Sequence, residues 1–247
     1  MTAVRVVVLS DIHSNLEALE AVLVGSRSEE ADLTVVLGDI VGYGADPEAT
    51  LGLVRSVSPL VMLAGNHDLA AAGGFDLSWF NPVAAAATRW TAENLSPDSR
   101  AFLRDLPVRR LHDDVLLVHG SVVDPVAEYV VRPSDAARSF GAADFAKCLF
   151  GHTHVPAVFM RDLSGIHHLV PIEGESIDLP ASSRWMCNPG SVGQPRDGDA
   201  RAAYMVLDVS QCRVTLRRVA YDVQSAQRKI CAAGLPEVLA ARLEMGR

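Results

Sequence analysis

The stretch "KCLFGHTHVP" (residues 147–156) joins a short apolar run to two histidines, His152 and His154, one residue apart. Residues i and i+2 of an extended segment point to the same side, so the spacing predicts two imidazoles facing one point in space. Two neighbouring histidines alone would be weak evidence of a metal site. The pattern gains weight because it recurs along the chain.

Four other apolar runs end the same way. "VVVLS" is followed by Asp11, Ile12 and His13, "TVVLG" by Asp39, "VMLAG" by Asn66, His67 and Asp68, and "VLLV" by His119. The length, β-branched content and two-sided hydrophobicity of these runs predict buried, largely parallel strands. Later runs, "AVFMR", "IHHLVPI", "AAYMVLD" and "RVTLRRV", alternate more and read as antiparallel. Helices are predicted over Leu16–Val24, Ser134–Phe140, Asp222–Ala232 and Pro236–Leu243. Further helices should start at Asp46-Pro47, Asn81-Pro82 and Ser96-Pro97, each a capping residue followed by proline at N1. The expected architecture is an α/β four-layer αββα sandwich: two mixed β-sheets sharing a core, flanked by helices, with a metal site at the C-terminal ends of strands. No linker or repeat interrupts the 247 residues, so 1–247 is read as a single domain.

Hydrophobic residues make up 49% of the chain and charged residues 21%, enough for a sizeable core. The net charge of −8 and the absence of a lysine- or arginine-rich block argue against binding long nucleic acid, whose affinity rests on cationic contacts to phosphate. No apolar run reaches the roughly 18 residues of a membrane span. The four cysteines, Cys148, Cys187, Cys212 and Cys231, form no CxxC pair and read as reduced thiols of a cytoplasmic protein.

Ligands of α/β sheets collect outside the carboxyl ends of strands, so five such ends can meet in one crevice. A lone aspartate there could as well serve a turn or a helix cap. Together they supply two aspartates, one asparagine and four histidines, a number of donors natural for two metals sharing a bridge. Asp39 is a candidate bridge because a carboxylate has two oxygens. The sulfur-free N/O set suits manganese first, with iron, zinc, nickel or cobalt as alternatives, and not a closed thiolate zinc site. His112, His167 and His168 complete no ligand set and read as ordinary residues.

"SDIHSN", "LGDIVGYG", "AGNHD", "LVHG" and "FGHTHVP" resemble the successive motifs of the calcineurin-like metallophosphoesterase superfamily. "NPGSVGQPRDGD" (188–199) resembles the end of its small bacterial phosphodiesterase-like branch. The resemblance implies two divalent cations, one on Asp11, His13 and His154, the other on Asn66, His119 and His152, with Asp39 bridging. His67 would be a catalytic residue that binds no metal, with Asp68 either orienting it or starting a helix. A hydroxide shared by the metals would attack phosphorus in line, and His67 would protonate the leaving oxygen or hold the transition state by a hydrogen bond. Arg196 and Gln194 are candidates to line the phosphate pocket. Gly42 and Gly44 either let backbone approach the substrate or only make turns.

The expected activity is hydrolysis of small phosphodiesters. The same metals would also serve a phosphomonoesterase or a dinucleoside polyphosphate hydrolase. A non-catalytic scaffold of this fold should lack His67 or several ligands, and this chain has them all. Segment 167–185 is longer than a tight hairpin needs, and no role is assigned to it.

Overall fold

The structure, a computed structural model, describes residues 4–247. Two six-stranded sheets stack face to face. Strands β1 (Arg5–Leu9), β2 (Leu33–Val36) and β3 (Leu60–Met62) run parallel in the first sheet. It continues antiparallel through β11 (Ala202–Asp208), β12 (Arg213–Val219) and β9 (Ser176–Asp178). The second sheet places β4 (Arg109–His112), β5 (Val115–Val118), β6 (Lys147–Leu149), β10 (Arg184–Asn188), β7 (Ala157–Asp162) and β8 (Gly165–Leu169) in that order. Here β5, β6 and β10 are the parallel strands. Both sheets are therefore mixed, and each draws on both the parallel and the antiparallel sets of runs.

The alternation of side chains across each strand divides the core. Val6, Val8, Val35, Leu117, Leu149, Val158 and Cys187 fill the space between the sheets. The outer face of the first sheet, with Val7, Leu9 and Val36, packs on α1 (Leu16–Gly25), α2 (Pro47–Arg55) and α5 (Pro97–Asp105) through Leu19, Leu51 and Leu103. The outer face of the second is covered by α6 (Pro133–Ala142), whose Phe140 packs with Phe150 and Phe159. At roughly 25 cal/mol per Å² of apolar surface removed from water, these faces are what hold the four layers together.

The helix starts follow their capping signals. Asn81 Oδ1 accepts from Ala84 N–H ahead of α4 (Pro82–Glu93), and Ser96 Oγ accepts from Ser99 N–H ahead of α5; such caps are typically worth about 1 kcal/mol each. Asp46 does not cap α2. Its carboxylate accepts instead from Lys229 Nζ at 2.8 Å, tying α7 (Val223–Ala232) to the loop before α2. A last helix, α8 (Glu237–Met245), packs on α7 through Ile230, Leu239 and Leu243.

Segment 167–185 acquires a role here. It leaves β8 at the edge of the second sheet, pairs as β9 on the edge of the first, and returns as β10 to the interior of the second. Among the described residues no helix is long and apolar enough to cross a membrane.

Candidate metal centre

Six parallel strands, three from each sheet, end at one place. The ends of β1, β2 and β3 carry Asp11 and His13, Asp39, and Asn66 and His67; those of β5 and β6 carry His119, and His152 and His154. The end of β10 leads into residues 188–196. A short helix, α3 (Asn66–Ala71), begins at Asn66.

The candidate ligands resolve into groups with shared members. Asp11, His13 and His154 form one, Asp39, His119 and His152 another, and His13, Asp39 and His67 a third that joins them. The expectation that His152 and His154 face a single point is corrected here. The strand ends at Leu149, and both histidines have left-handed backbone, φ 67° and 61°. They therefore turn apart, His152 towards His119 and His154 towards His13. Asp11, His13 and Asp39 share that backbone region, with φ between 52° and 54°. Left-handed backbone costs roughly 1–2 kcal/mol in a residue with a Cβ. Its concentration at these positions marks a functional turn cluster rather than ordinary loops.

Hydrogen bonds fix which nitrogen of each ring is bare. His13 Nδ1 donates to Val41 O at 3.2 Å, His154 Nδ1 to Gln194 O at 2.6 Å, His119 Nδ1 to Leu37 O at 2.9 Å and His152 Nε2 to Ala127 O at 3.0 Å. The other nitrogens then converge, His13 Nε2 lying 3.0 Å from His154 Nε2 and His119 Nε2 3.2 Å from His152 Nδ1. Outer N–H groups on backbone carbonyls are the arrangement that orients metal-bound imidazoles.

The carboxylates are divided in the same way. Asp11 Oδ2 accepts from His152 N–H at 3.0 Å, and Asp39 Oδ1 accepts from His67 N–H at 2.9 Å. Their other oxygens, Asp11 Oδ1 and Asp39 Oδ2, are buried without a hydrogen-bond partner, as is Asn66 Oδ1. Asp39 Oδ2 lies 3.6 Å from His13 Nε2 and 3.3 Å from His119 Nε2. A bridge from Asp39 would thus use one oxygen, because the other is committed to the backbone. Donor atoms about 2.1 Å from a common cation lie about 3.0–3.5 Å apart, close to these separations. Two orphaned carboxylate oxygens among the imidazole nitrogens, with the unpartnered Asn66 Oδ1 on the same cleft, are costly in isolation and fit two divalent cations.

The electrostatics agree. Burial lowers His13 and His154 well below the usual histidine range and brings His152 to about 3, so these rings are neutral and able to coordinate. Burial also works against charge on His119, but Asp39 beside it prevails and raises it to about 9. In the metal-free chain His119 carries a second proton, on Nε2 beside Asp39, which offsets the Asp39 charge; that nitrogen becomes bare only when a bound cation takes over the task. Burial, reinforced by Asp39, lifts Asp11 to about 6.

His67 is close enough to His13 and Asp39 to share a group with them, but its surroundings give it a different part. Thr88 Oγ1 gives its own proton to Ala84 O, so it accepts from His67 Nδ1 at 3.3 Å. Phe80 and Tyr43 pack against the imidazole at 4.7 and 4.4 Å between ring centroids. Burial lowers His67 to about 4. A Cβ on Gly42, which has φ +97°, would stand 2.7 Å from His67 Nδ1, and one on Gly44 would collide with the carbonyl of His13. Both glycines therefore admit the neighbouring protein, not substrate.

Two site assignments change. Asp68 does not touch His67: its carboxylate accepts from Gly65 N–H at 2.9 Å and Val41 N–H at 3.0 Å, the helix-start role, while Thr88 orients the histidine. Gln194 does not line the cleft above the metal centre. Its Oε1 accepts from Arg196 Nη2 at 2.8 Å, and it is Arg196 that lines the cleft, with His67, Asn66 and Asp39. The loop 188–196 positions ligands: Asn188 Nδ2 donates to Gly151 O and Ser191 Oγ to Asp11 O, both at 2.7 Å. The cleft itself has a volume of about 240 Å³. Its aromatic lining, Tyr43, Phe75, Trp79, Phe80 and Tyr129, was missed from the sequence, where these residues form no periodic or motif-like pattern. His112, His167 and His168 lie away from the centre; His167 pairs with Asp162 at 3.2 Å and His168 stacks on Phe159.

The sequence pattern of the calcineurin-like phosphoesterase superfamily domain matches residues 4–212. The chain belongs to the calcineurin-like phosphoesterase superfamily. A metallophosphoesterase from Sphaerobacter thermophilus, known by crystal structure, is similar over all of both chains, with 42% identity and a TM-score of 0.88. An uncharacterised protein of Methanocaldococcus jannaschii is 36% identical over 251 residues, again covering both chains in full. A hypothetical protein from Pyrococcus horikoshii, 22% identical over 98% of each chain with a TM-score of 0.80, shares the fold. For a calcineurin-like phosphoesterase, the clustered aspartates and histidines support divalent metal binding.

Proposed function

We propose that this chain is a metal-dependent hydrolase of small phosphodiesters, working in the cytoplasm with two divalent cations, manganese first among the candidates. The observation that carries this reading is the convergence of four imidazole nitrogens on two buried carboxylate oxygens, of Asp11 and Asp39, that lack hydrogen-bond partners. Asp11, His13 and His154 would hold one cation, and Asn66, His119 and His152 the other, with Asp39 Oδ2 shared. When bound, the pair supplies positive charge for the phosphoryl oxygens and acidifies a water.

The chain's own groups do the rest. Arg196, held by Gln194, faces the cleft and is placed to pair with a phosphoryl oxygen. His67 has its Nδ1 proton committed to Thr88, so Nε2 is the atom that would pass a proton to the leaving oxygen. It is neutral in the resting site, and an arriving phosphate anion favours its charged form. The cleft runs past the centre on both flanks, along Phe80 beside His67 and Tyr129 beside His152. That gives each ester group of a diester a place and favours diesters over monoesters. The net charge of −8 supports a small substrate rather than long nucleic acid.

Protein reconstituted with Mn²⁺ should hydrolyse bis(p-nitrophenyl) phosphate faster than p-nitrophenyl phosphate and leave plasmid DNA intact. Failure to cleave the diester with Mn²⁺, Fe²⁺, Zn²⁺, Ni²⁺ or Co²⁺ would refute the reading, as would plasmid degradation that Asp39→Ala abolishes.

A further inference from the structure

The floor of the cleft is polar, but its flank beside His67 is a row of rings. Phe80 meets His67 edge-on at 4.7 Å, Phe75 meets Phe80 edge-on at 5.9 Å, and Trp79 lies 6.4 Å from Phe75. Exposure rises along the row, from buried His67 through half-buried Phe80 and Phe75 to Trp79, which is 77% exposed. A tryptophan so exposed contributes little to the core, and its apolar surface in water is unfavourable unless something covers it. The segment is held by its own hydrogen bonds: Asp76 accepts from Ser78 N–H at 2.8 Å and from Ser78 Oγ at 2.7 Å. The rings are thus presented by an ordered turn.

Asn81 follows the row and also lines the cleft. Its Oδ1 is committed to Ala84 N–H as the helix cap, while its amide nitrogen makes no hydrogen bond among the described residues. Flat rings with an amide donor at their edge suit a planar heterocycle that carries acceptors. An alkyl group would gain less from stacking, and a plain phenyl group would leave the amide unused. The position of the row fixes which part of the substrate it meets. His67 serves the leaving oxygen, so whatever is bonded to that oxygen extends over Phe80 towards Phe75 and Trp79.

We propose that the leaving group of the physiological phosphoester is a nucleoside, its base stacked on Trp79 and Phe75 with Asn81 at its edge. This rests on the phosphodiesterase reading above and adds the substrate class. In balance, water adds to phosphorus, the bond from phosphorus to the nucleoside oxygen breaks, and that oxygen takes a proton; no redox partner is needed.

The test compares three methyl phosphodiesters, those of adenosine (through its 5′ oxygen), phenol and butanol. Wild type should show the lowest KM for the adenosine ester. Trp79→Ala should raise that KM about tenfold, the lower end of what base stacking contributes, and shift the butyl ester by less than about twofold. Metal content should stay unchanged. Independently of turnover, adenosine should quench the emission of wild-type protein, because Trp79 is far more exposed than Trp90 or Trp185. Phe75→Ala should weaken that quench. An equal KM rise for all three esters, or a phenyl or butyl ester bound as tightly as the adenosine ester, would overturn the proposal. If no ester is cleaved, the phosphodiesterase reading fails, and the quench titration alone decides whether the rings take a base: absence of quench overturns the proposal.

Discussion

The strand ends of the first sheet bring Asp11, Asp39 and Asn66, all the oxygen donors of the candidate centre, with one imidazole, His13. Those of the second sheet bring three imidazoles, His119, His152 and His154, and no oxygen. Neither sheet can complete a site. Each half of the centre crosses between them: Asp11 and His13 meet His154, and Asp39 meets His119 and His152. The centre is therefore a clasp between two layers, added to the apolar core between them, the crossing segment 167–185 and hydrogen bonds such as His119 Nδ1 to Leu37 O.

The largest effect should follow from breaking the single atom shared by both halves. Asp39→Ala should remove both metals and lower turnover by about 10³-fold or more, since the whole charge-stabilising apparatus is lost. His154→Ala should cost one metal and leave the His119 half loaded. Elemental analysis of the two variants checks this; an Asp39→Ala protein that still holds two ions would refute the bridge. His67→Ala should lower turnover by about 10²- to 10³-fold, within the range for general acid–base catalysis, with two metals retained. A loss of metal in that variant would make His67 a ligand.

If cations clasp the sheets, stripping them with a chelator must lower thermal stability. Each ion bound at a thousandfold excess over Kd contributes about 4 kcal/mol, so two contribute about 8 kcal/mol. For a chain of this length, with a shift of roughly 2–4 °C per kcal/mol, Tm should fall by about 15 °C or more. Calorimetry with and without metal measures it, and an unchanged Tm would mean that the apolar layer between the sheets suffices.

The two sheets also differed in how much of them could be read beforehand. β1, β2, β3, β5 and β6 announce themselves as apolar runs ending in ligands; six of the seven candidate donors fall in the clustered groups, and Asn66 lines the cleft beside them. β10, at the heart of the second sheet, did not. "RWMCN" has no β-branched residue and sits inside a polar connection, so only its pairing with β6 and β7 reveals it. The direction of His152 and His154 was misjudged because i, i+2 logic presumes extended backbone, and both residues are left-handed. The roles of Asp68 and Gln194 depended on partners far away in sequence or hidden in a loop, Val41 N–H for one and Arg196 for the other. No motif marks Phe75, Trp79 and Phe80, whose relevance comes from lying along one wall of the cleft.

Two cysteines of the second sheet allow the smallest and sharpest test of the clasp. Cys148 on β6 and Cys187 on β10 are both fully buried, and burial pushes both thiols up, so neither should react with a thiol reagent in the native protein. Their neighbours differ. Cys187 faces the layer between the sheets, with Val158 and Met205, whereas Cys148 faces α6, with Phe140 and Phe150. Exposed Cys231 supplies an internal reference. If metal loss loosens the contact between sheets, Cys187 should label several-fold faster after chelation while Cys148 stays slow, because the layer under α6 is untouched by the clasp. Mass spectrometry of the labelled peptides separates the two. Equal acceleration at both would indicate opening of the whole molecule, and acceleration at neither would show that the metals do not tighten the contact between the sheets.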